Sequence, residues 1–291
     1  MGLQLPRRAR RTATYAVVAT GLLLLGSCSS ADRTQIERFA MPEGATDRAP
    51  AIFELWKWSW VAALLVGALV WGLIGYACFR YRRRNVDEVP VQTRYHLPIE
   101  ILYTAAPLIM VLVLFYFTVE TQNEVLAEVP DPDHEITVVG HQWSWTFNYV
   151  EEDAVDGQTV HFVGTTAHEP TLVLPLDETV KVNLRSPDVI HSFWVPAFLF
   201  KLDVVPGRVN SFSFTPTREG TFEGRCAELC GVYHSRMLFD VEVVSPEEYD
   251  AYLQRLEAQG NVGLNTGNTN ADDVVGLEEE VQDDDTTGGE E

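Results

Sequence analysis

The sequence predicts a membrane protein in two parts, a transmembrane helical hairpin and an all-β domain outside the membrane, and three observations predict it. Trp58–Phe79 and Ile101–Val119 are runs of 22 and 19 residues without a charged side chain, each long enough to cross a hydrocarbon core about 30 Å thick. The short segment between them carries Arg80, Arg82, Arg83, Arg84 and Arg94 against Asp87 and Glu88, and an excess of basic residues in a short loop marks the cytoplasmic side. From Glu135 onward the pattern turns to period two, rich in β-branched and aromatic residues, as in strands.

At the N-terminus, Arg7, Arg8, Arg10 and Arg11 precede an apolar run from Ala13 to Leu25. That run has the length of a secretory h-region and is short for a membrane span. It ends in Leu25-Gly26-Ser27-Cys28, which resembles a bacterial lipoprotein signal, so residues 1–27 are expected to be removed and Cys28 lipidated. The competing reading is a third transmembrane helix with an incidental cysteine. Residues 28–57 then form an extracytoplasmic linker, 58–79 the first span, 80–97 a cytoplasmic loop and 98–119 the second span. Glu100 stands at the cytoplasmic start of the second span. An ionisable group at such a place is a functional candidate, and a carboxylate snorkelling to the interface is the plain alternative. Cys78 reads as a small apolar residue.

Residues 120–257 form the extracytoplasmic domain. Segments Ile136–Tyr149, Thr159–Val163, Thr171–Leu174, Thr179–Leu184, Val209–Phe214, Phe222 and Met237–Val244 read as strands separated by turns such as Asp156-Gly157 and Pro206-Gly207, which predicts an antiparallel sandwich or barrel. Ser245-Pro246-Glu247-Glu248 is a capping box with proline at the first helical position, so a helix is expected over 246–257. Residues 258–291 hold ten acidic groups, no basic group and few apolar ones, and are expected to be a disordered acidic tail.

The formal net charge is −21, which argues against a nucleic-acid partner and for a cationic one. Its distribution excludes an ordinary cytosolic globule: residues 1–57 hold eight basic and five acidic groups, whereas 120–257 hold 24 acidic and eight basic groups. Asp177, Glu178 and Asp188 are candidates for docking a basic protein.

The chemistry concentrates in Cys226-Ala227-Glu228-Leu229-Cys230-Gly231-Val232-Tyr233-His234-Ser235-Arg236-Met237, with His191 upstream. Two thiols, two imidazoles and a thioether are soft donors that suit copper better than a hard cation. A mononuclear blue-copper site uses one cysteine, so the second thiol is one ligand too many; two thiolates on one loop can bridge a metal pair. Three other readings stay open: a Cys226–Cys230 disulfide, allowed in an oxidising compartment; a tetrahedral zinc site of Cys226, Cys230, His234 and His191 that leaves Met237 idle; and coincidence in a β-loop.

Four motifs in order behind a transmembrane hairpin make the chain recognisable. They are Gly140-His141-Gln142-Trp143-Ser144-Trp145, Asp188-Val189-Ile190-His191-Ser192, Lys201-Leu202-Asp203-Val204-Val205-Pro206-Gly207-Arg208 and Cys226 to Met237. Over residues 51–245 the sequence resembles cytochrome c oxidase subunit II, with the last motif similar to its CuA loop. The resemblance implies a cupredoxin-like Greek-key sandwich and two copper ions. His191 and Met237 would serve one copper, His234 and the backbone carbonyl of Glu228 the other, and Cys226 and Cys230 would bridge them. It further implies a Mg²⁺ or Mn²⁺ site at the subunit I interface through the Glu228 side chain, electron acceptance at Trp143, and a proton-pathway mouth at Glu100.

The implied partners are subunit I with its haem and CuB, subunit III, the membrane, and a c-type cytochrome that is either soluble or tethered in a cytochrome bc supercomplex. The implied place is the bacterial cell membrane, multi-pass, with the copper domain outside. The implied activity is that of the electron-accepting subunit of a proton-translocating oxidase, with oxygen chemistry in subunit I. The chain has no Cys-x-x-Cys-His, so it attaches no c-type haem. Ser144 stands where many relatives have tyrosine, Tyr103 where tryptophan is common, and Pro187 where some relatives are acidic. The competing functions are a copper-delivery or structural metal-binding lipoprotein and a quinol oxidase subunit II, which keeps the architecture without the copper ligands. Seven histidines are too few for the additional copper domain of a nitrous oxide reductase.

Overall fold

The computed structural model describes residues 30–85, 89, 91–165 and 167–267. The expected signal segment 1–27, Cys28 with its expected lipidation, and residues 268–291 of the expected acidic tail lie outside the described residues. The chain divides after Pro42 into two compact units. In the first, α1 (Ser30–Glu37) ends in a turn through Phe39 and Ala40, where the Arg38 Nε donates to the Met41 carbonyl at 3.2 Å.

The second unit begins with two helices long and apolar enough to cross a membrane, α2 (Ala49–Arg80) and α3 (Leu97–Val125). Each carries proline in its first turn, where the missing N–H costs nothing. Both helices overrun the charge-free segments: the linker expected to end at 57 ends at Arg48, and residues 120–125 continue α3 rather than opening the β domain. The roots of the hairpin are tied to that domain. The Ala45 amide donates to Ala197 O at 2.8 Å, Asp47 and Thr215 exchange hydrogen bonds of 3.0 and 2.8 Å, and the Arg48 guanidinium donates to Glu124 O at 3.1 Å.

Among the described residues, ten strands build two five-stranded sheets. The first holds β1 (His134–His141), β2 (Ser144–Glu152), β3 (Gln158–Val163), β5 (Val180–Arg185) and β8 (Asn210–Phe214), in the order β3-β2-β1-β5-β8. The second holds β4 (Thr171–Pro175), β6 (His191–Val195), β7 (Phe200–Val204), β9 (Gly220–Cys226) and β10 (Leu238–Val244), in the order β4-β10-β9-β6-β7. The expected sandwich is present, but it is not purely antiparallel. β1 lies parallel to β5 and β4 parallel to β10, because the chain switches sheets between β3 and β5. The single strand expected over 136–149 is a hairpin that turns at Gln142-Trp143. Strands β6 and β7 were not expected at all.

Inward residues alternate along the strands and meet in one core containing Trp145, Phe147, Phe193 and Phe239, all at most 2 % exposed. The expected helix is α4 (Pro246–Ala258), with both hydrogen bonds of its Ser245/Glu248 capping box in place and Tyr249, Leu253 and Leu256 buried against the sandwich.

β1 and β5 run between two ends of the domain. At one end the His134 ring bridges Glu152 and Glu178, each at 2.8 Å, while Tyr249 donates its hydroxyl to Glu152. Burial opposes a charge on His134, but the two carboxylates outweigh it and lift its pKa to about 9. The other end, about 23 Å away along β1, carries His141, His191 and Cys226.

The stretch expected to open the solvated tail is instead held in place as far as Gly267. Val262 bridges Val160, Gly263 N donates to Thr159 O, and the buried Asn148 side chain clasps Asn265 through both its amide atoms, at 3.0 and 2.6 Å. Backbone and amide hydrogen bonds replace the apolar burial that this segment lacks. The strap crosses β3 and β2 and brings Gly267 against the His141 ring.

Candidate metal centre

Three strand ends bring the soft donors together. His191 opens β6, Cys226 closes β9, and Met237 immediately precedes β10. The loop between Cys226 and Met237 is closed at its neck by Cys226 N donating to Met237 O at 3.0 Å, and it is pinned to β6 by Ala227 N donating to Ser192 O at 3.0 Å. Gly231 turns the loop at φ +123°, which favours glycine, and a Cβ there would meet the Trp143 Nε1 at 3.0 Å.

The donor atoms face one another across short gaps. The Cys226 and Cys230 sulfurs stand 3.8 Å apart, too far for a disulfide bond of about 2.05 Å. His191 Nδ1 lies 3.8 Å from the Cys226 sulfur, His234 Nδ1 3.6 Å and the Met237 sulfur 3.7 Å from the Cys230 sulfur, and the Glu228 carbonyl 3.2 Å from the Cys226 sulfur. The His191, Cys226 and Cys230 ligand atoms all fall within 4.8 Å of one another. Such a set fits soft metal and not a hard cation, and it uses Met237, which a four-ligand zinc site would leave out.

The histidine is oriented from behind. His191 Nε2 meets Asp188 Oδ1 at 2.8 Å, so the proton on that nitrogen faces the carboxylate and Nδ1 is left bare toward the sulfurs. Asp188 also accepts the Val189 amide and, at 2.6 Å, the Gln142 amide. Asp188 thus links His191 to the β1–β2 turn while the residue itself stays exposed. Asp177 and Glu178 lie in the turn before β5, at the end of the domain away from the sulfurs, and Glu178 is occupied by His134. That placement removes both from the surface around Trp143.

The thiols are electrostatically unequal. Burial resists ionisation of Cys226, yet the His191 hydrogen bond and neighbouring backbone groups bring its pKa down to about 7. Burial and the adjacent Cys226 push Cys230 up to about 12. Burial likewise disfavours a charged His191, and the contacts with Asp188 and Cys226 overcome it and raise its pKa.

Trp143 is half-buried beside this centre, and Trp145 is the tryptophan that fills the core, 0 % exposed. The Trp143 indole donates to Cys230 O at 3.2 Å, and the Gln142 side chain donates to the same carbonyl at 2.7 Å. Glu228 turns its carbonyl to the sulfurs while the residue as a whole is exposed. Glu100 lies apart from all of these, in the first turn of α3, where its carboxylate accepts the His96 amide at 2.7 Å. Gln142 and the holding role of Asp188 escaped the sequence reading. The motif Asp188-Val189-Ile190-His191 contained the second signal, since a carboxylate three residues before a ligand histidine is placed to orient it.

Known proteins resemble this chain. Residues 134–244 match the family model described as cytochrome C oxidase subunit II, periplasmic domain. A protein of Streptomyces avermitilis named probable cytochrome c oxidase subunit 2 is 46% identical over 293 residues, covering 89% of this chain and 91% of its own. The cytochrome c oxidase subunit 2 of Mycobacterium tuberculosis is 34% identical over 309 residues, covering 88% and 84%. Among solved structures, the periplasmic domain of subunit II of cytochrome oxidase from Bradyrhizobium japonicum aligns with TM-score 0.40 and 29% identity over 45% of this chain and 99% of that one.

Proposed function

The chain belongs to the cytochrome c oxidase subunit II family, and on that footing we propose that its sulfur-lined centre holds two copper ions and takes single electrons from a c-type cytochrome outside the membrane. His191 and Met237 would hold one copper, His234 and the Glu228 carbonyl the other, with Cys226 and Cys230 shared between them. When bound, such a pair supplies one-electron storage spread over two metals. The observation that carries the reading is the convergence of five soft side chains and one carbonyl on a single centre, with the two sulfurs 3.8 Å apart.

The protein's own contribution is rigidity and access. His191, Cys226, Cys230 and Met237 are at most 6 % exposed and sit on strand ends or on a loop closed at its neck, so the frame changes little when the charge at the centre changes. Asp188 fixes the tautomer of His191, and Trp143, bonded to the carbonyl of Cys230, offers the donor an aromatic route into the centre.

Electrons would continue to haem in subunit I, where oxygen is reduced and protons are translocated, with subunit III completing the complex. Glu228 suits a Mg²⁺ or Mn²⁺ site against subunit I, because its carbonyl serves the sulfur centre while its carboxylate is free to face outward. Glu100 would flank a proton pathway at the cytoplasmic start of α3. The arginine-rich loop is read as cytoplasmic and the β domain as extracytoplasmic, with export by the N-terminal signal and lipidation at Cys28.

The test uses the full-length chain in detergent, titrated with copper. Two copper ions per chain, a purple colour and an electron-spin signal shared over two copper nuclei are expected. Uptake of a single copper, or stable zinc binding without copper uptake, would overturn the reading.

A further inference from the structure

Three side chains at the mouth of the metal loop are not accounted for by metal binding or by core packing. Tyr233 is 45% exposed, and Leu229 and Val232 beside it are 77% and 83% exposed. An apolar cluster left in solvent on a tightly held loop marks a contact surface. Within it, Tyr233 is not splayed into solvent. Its ring meets the Trp143 indole edge-on, with centroids 5.0 Å apart at 89°, and the Arg236 guanidinium lies 5.7 Å from the same ring. Among the described residues Arg236 forms no ion pair, so its placement over Tyr233 is not dictated by a carboxylate.

The indole is thereby fixed at two places. Its N–H is held by the Cys230 carbonyl at 3.2 Å, and its ring is braced by Tyr233. The hydrogen bond and the close approach of Gly231 hold the nitrogen edge of the indole, and Tyr233 meets the ring edge-on as a further support. Electronic coupling falls exponentially with separation, so a small swing of the indole away from the donor has a large effect on rate.

We propose that Tyr233 is a positioning residue for electron transfer, holding the Trp143 indole in the pose that meets the donor and, with Leu229 and Val232, forming the apolar contact made with a c-type cytochrome. Arg236 keeps the tyrosine ring in place from its outer side. The proposal rests on the reading of Trp143 as the electron-accepting residue.

The experiment uses the purified whole oxidase carrying Tyr233→Leu, Tyr233→Phe or Trp143→Leu. Copper content and copper spectrum are read first, then the dissociation constant of oxidised cytochrome c, and then kcat/KM with reduced cytochrome c and with a small-molecule reductant that needs no docking. Loss of an edge-on aromatic contact predicts that Tyr233→Leu keeps copper and its spectrum, weakens cytochrome binding, and lowers kcat/KM for cytochrome about threefold to tenfold. The small reductant is unaffected, and Tyr233→Phe, which keeps the ring, stays within about twofold of the parent.

If Tyr233→Leu matches the parent while Trp143→Leu is slow, the proposal fails and the reading of Trp143 stands. If both match the parent, the reading of Trp143 fails and takes the proposal with it. Should Tyr233→Leu lose copper, Arg236→Ala decides: a selective fall in cytochrome kcat/KM of about twofold or more supports the bracing role, and an unchanged value overturns it.

Discussion

The Asp188 carboxylate meets His191 Nε2 at 2.8 Å and, through its other oxygen, accepts the Gln142 amide at 2.6 Å. One side chain thus fixes the ring of a proposed copper ligand and the turn that carries Trp143. The proposed ligand and the proposed electron-accepting residue are set relative to each other by a shared carboxylate.

Replacing Asp188 by Ala is therefore expected to lower copper affinity about 10- to 100-fold, the usual cost of removing a carboxylate behind a ligand histidine. Competition with a chelator on the full-length chain measures it, with far-UV circular dichroism as the control for folding. Copper held as tightly as in the parent would leave Asp188 with no part in ligand orientation.

Met237 is 0 % exposed and its sulfur lies 3.7 Å from the Cys230 sulfur. Met237→Leu conserves volume and should cost less than about 1.5 kcal/mol of stability. The copper spectrum and midpoint potential should nevertheless change, because a soft donor is lost while the shape is kept. A spectrum identical to the parent's would mean that the thioether only packs.

The far end of the domain has its own pH dependence. His134 titrates near 9 in the folded protein, against about 6.5 in an unfolded chain. A raised folded-state pKa means that its stabilisation is complete below about pH 6.5, declines as pH rises toward 9 and is absent above that. With Glu178 36% exposed on one side and Glu152 4% exposed on the other, the contribution is about 2 kcal/mol. Thermal unfolding of the parent against His134→Gln across pH 6 to 9.5 should show the gap closing with rising pH; a gap that stays constant would refute this origin.

Gly224 is the residue of β9 opposite Phe239 on β10, and a Cβ built on it would lie 2.2 Å from the Phe239 ring. That ring is stacked on Phe193 at 4.9 Å and packed against Trp145 at 5.2 Å, so it has nowhere to move. Gly224→Ala should destabilise the domain by about 1–3 kcal/mol, seen as a lowered unfolding midpoint, with copper affinity falling as well because β9 ends at Cys226.

The sequence made some of this legible and hid the rest for identifiable reasons. The spans, the capping box and the five soft side chains of the candidate centre could be read because each depends on local spacing or on side-chain chemistry alone, whereas the Glu228 carbonyl entered only through the family resemblance. β6 could not, because His-Ser-Phe-Trp-Val shows no alternation: four of its five residues are buried, from both sides of the strand. The turn at Gln142-Trp143 was missed because neither residue is a glycine, proline, asparagine or aspartate that would mark it. The holding role of Asp188 was not legible because it depends on His191 and Gln142 converging on its two oxygens in space. Asp177 and Glu178 were misplaced for a related reason: charge density along a sequence does not say which end of a sandwich the charges occupy.

The strap from residue 259 to Gly267 changes what counts as the end of the folded domain. β3 is the outermost strand of its sheet, and residues 261–263 occupy its free side. A protein cut after Ala258 would keep every strand and every proposed copper ligand, yet it would strip the buried Asn148 of its Asn265 partners, at about 1–3 kcal/mol. It would also bare the hydrogen-bonding groups of β3 to neighbouring molecules, and an uncovered strand edge invites pairing between copies. Such a truncation should therefore fail first by aggregating with rising concentration, and only secondarily by unfolding.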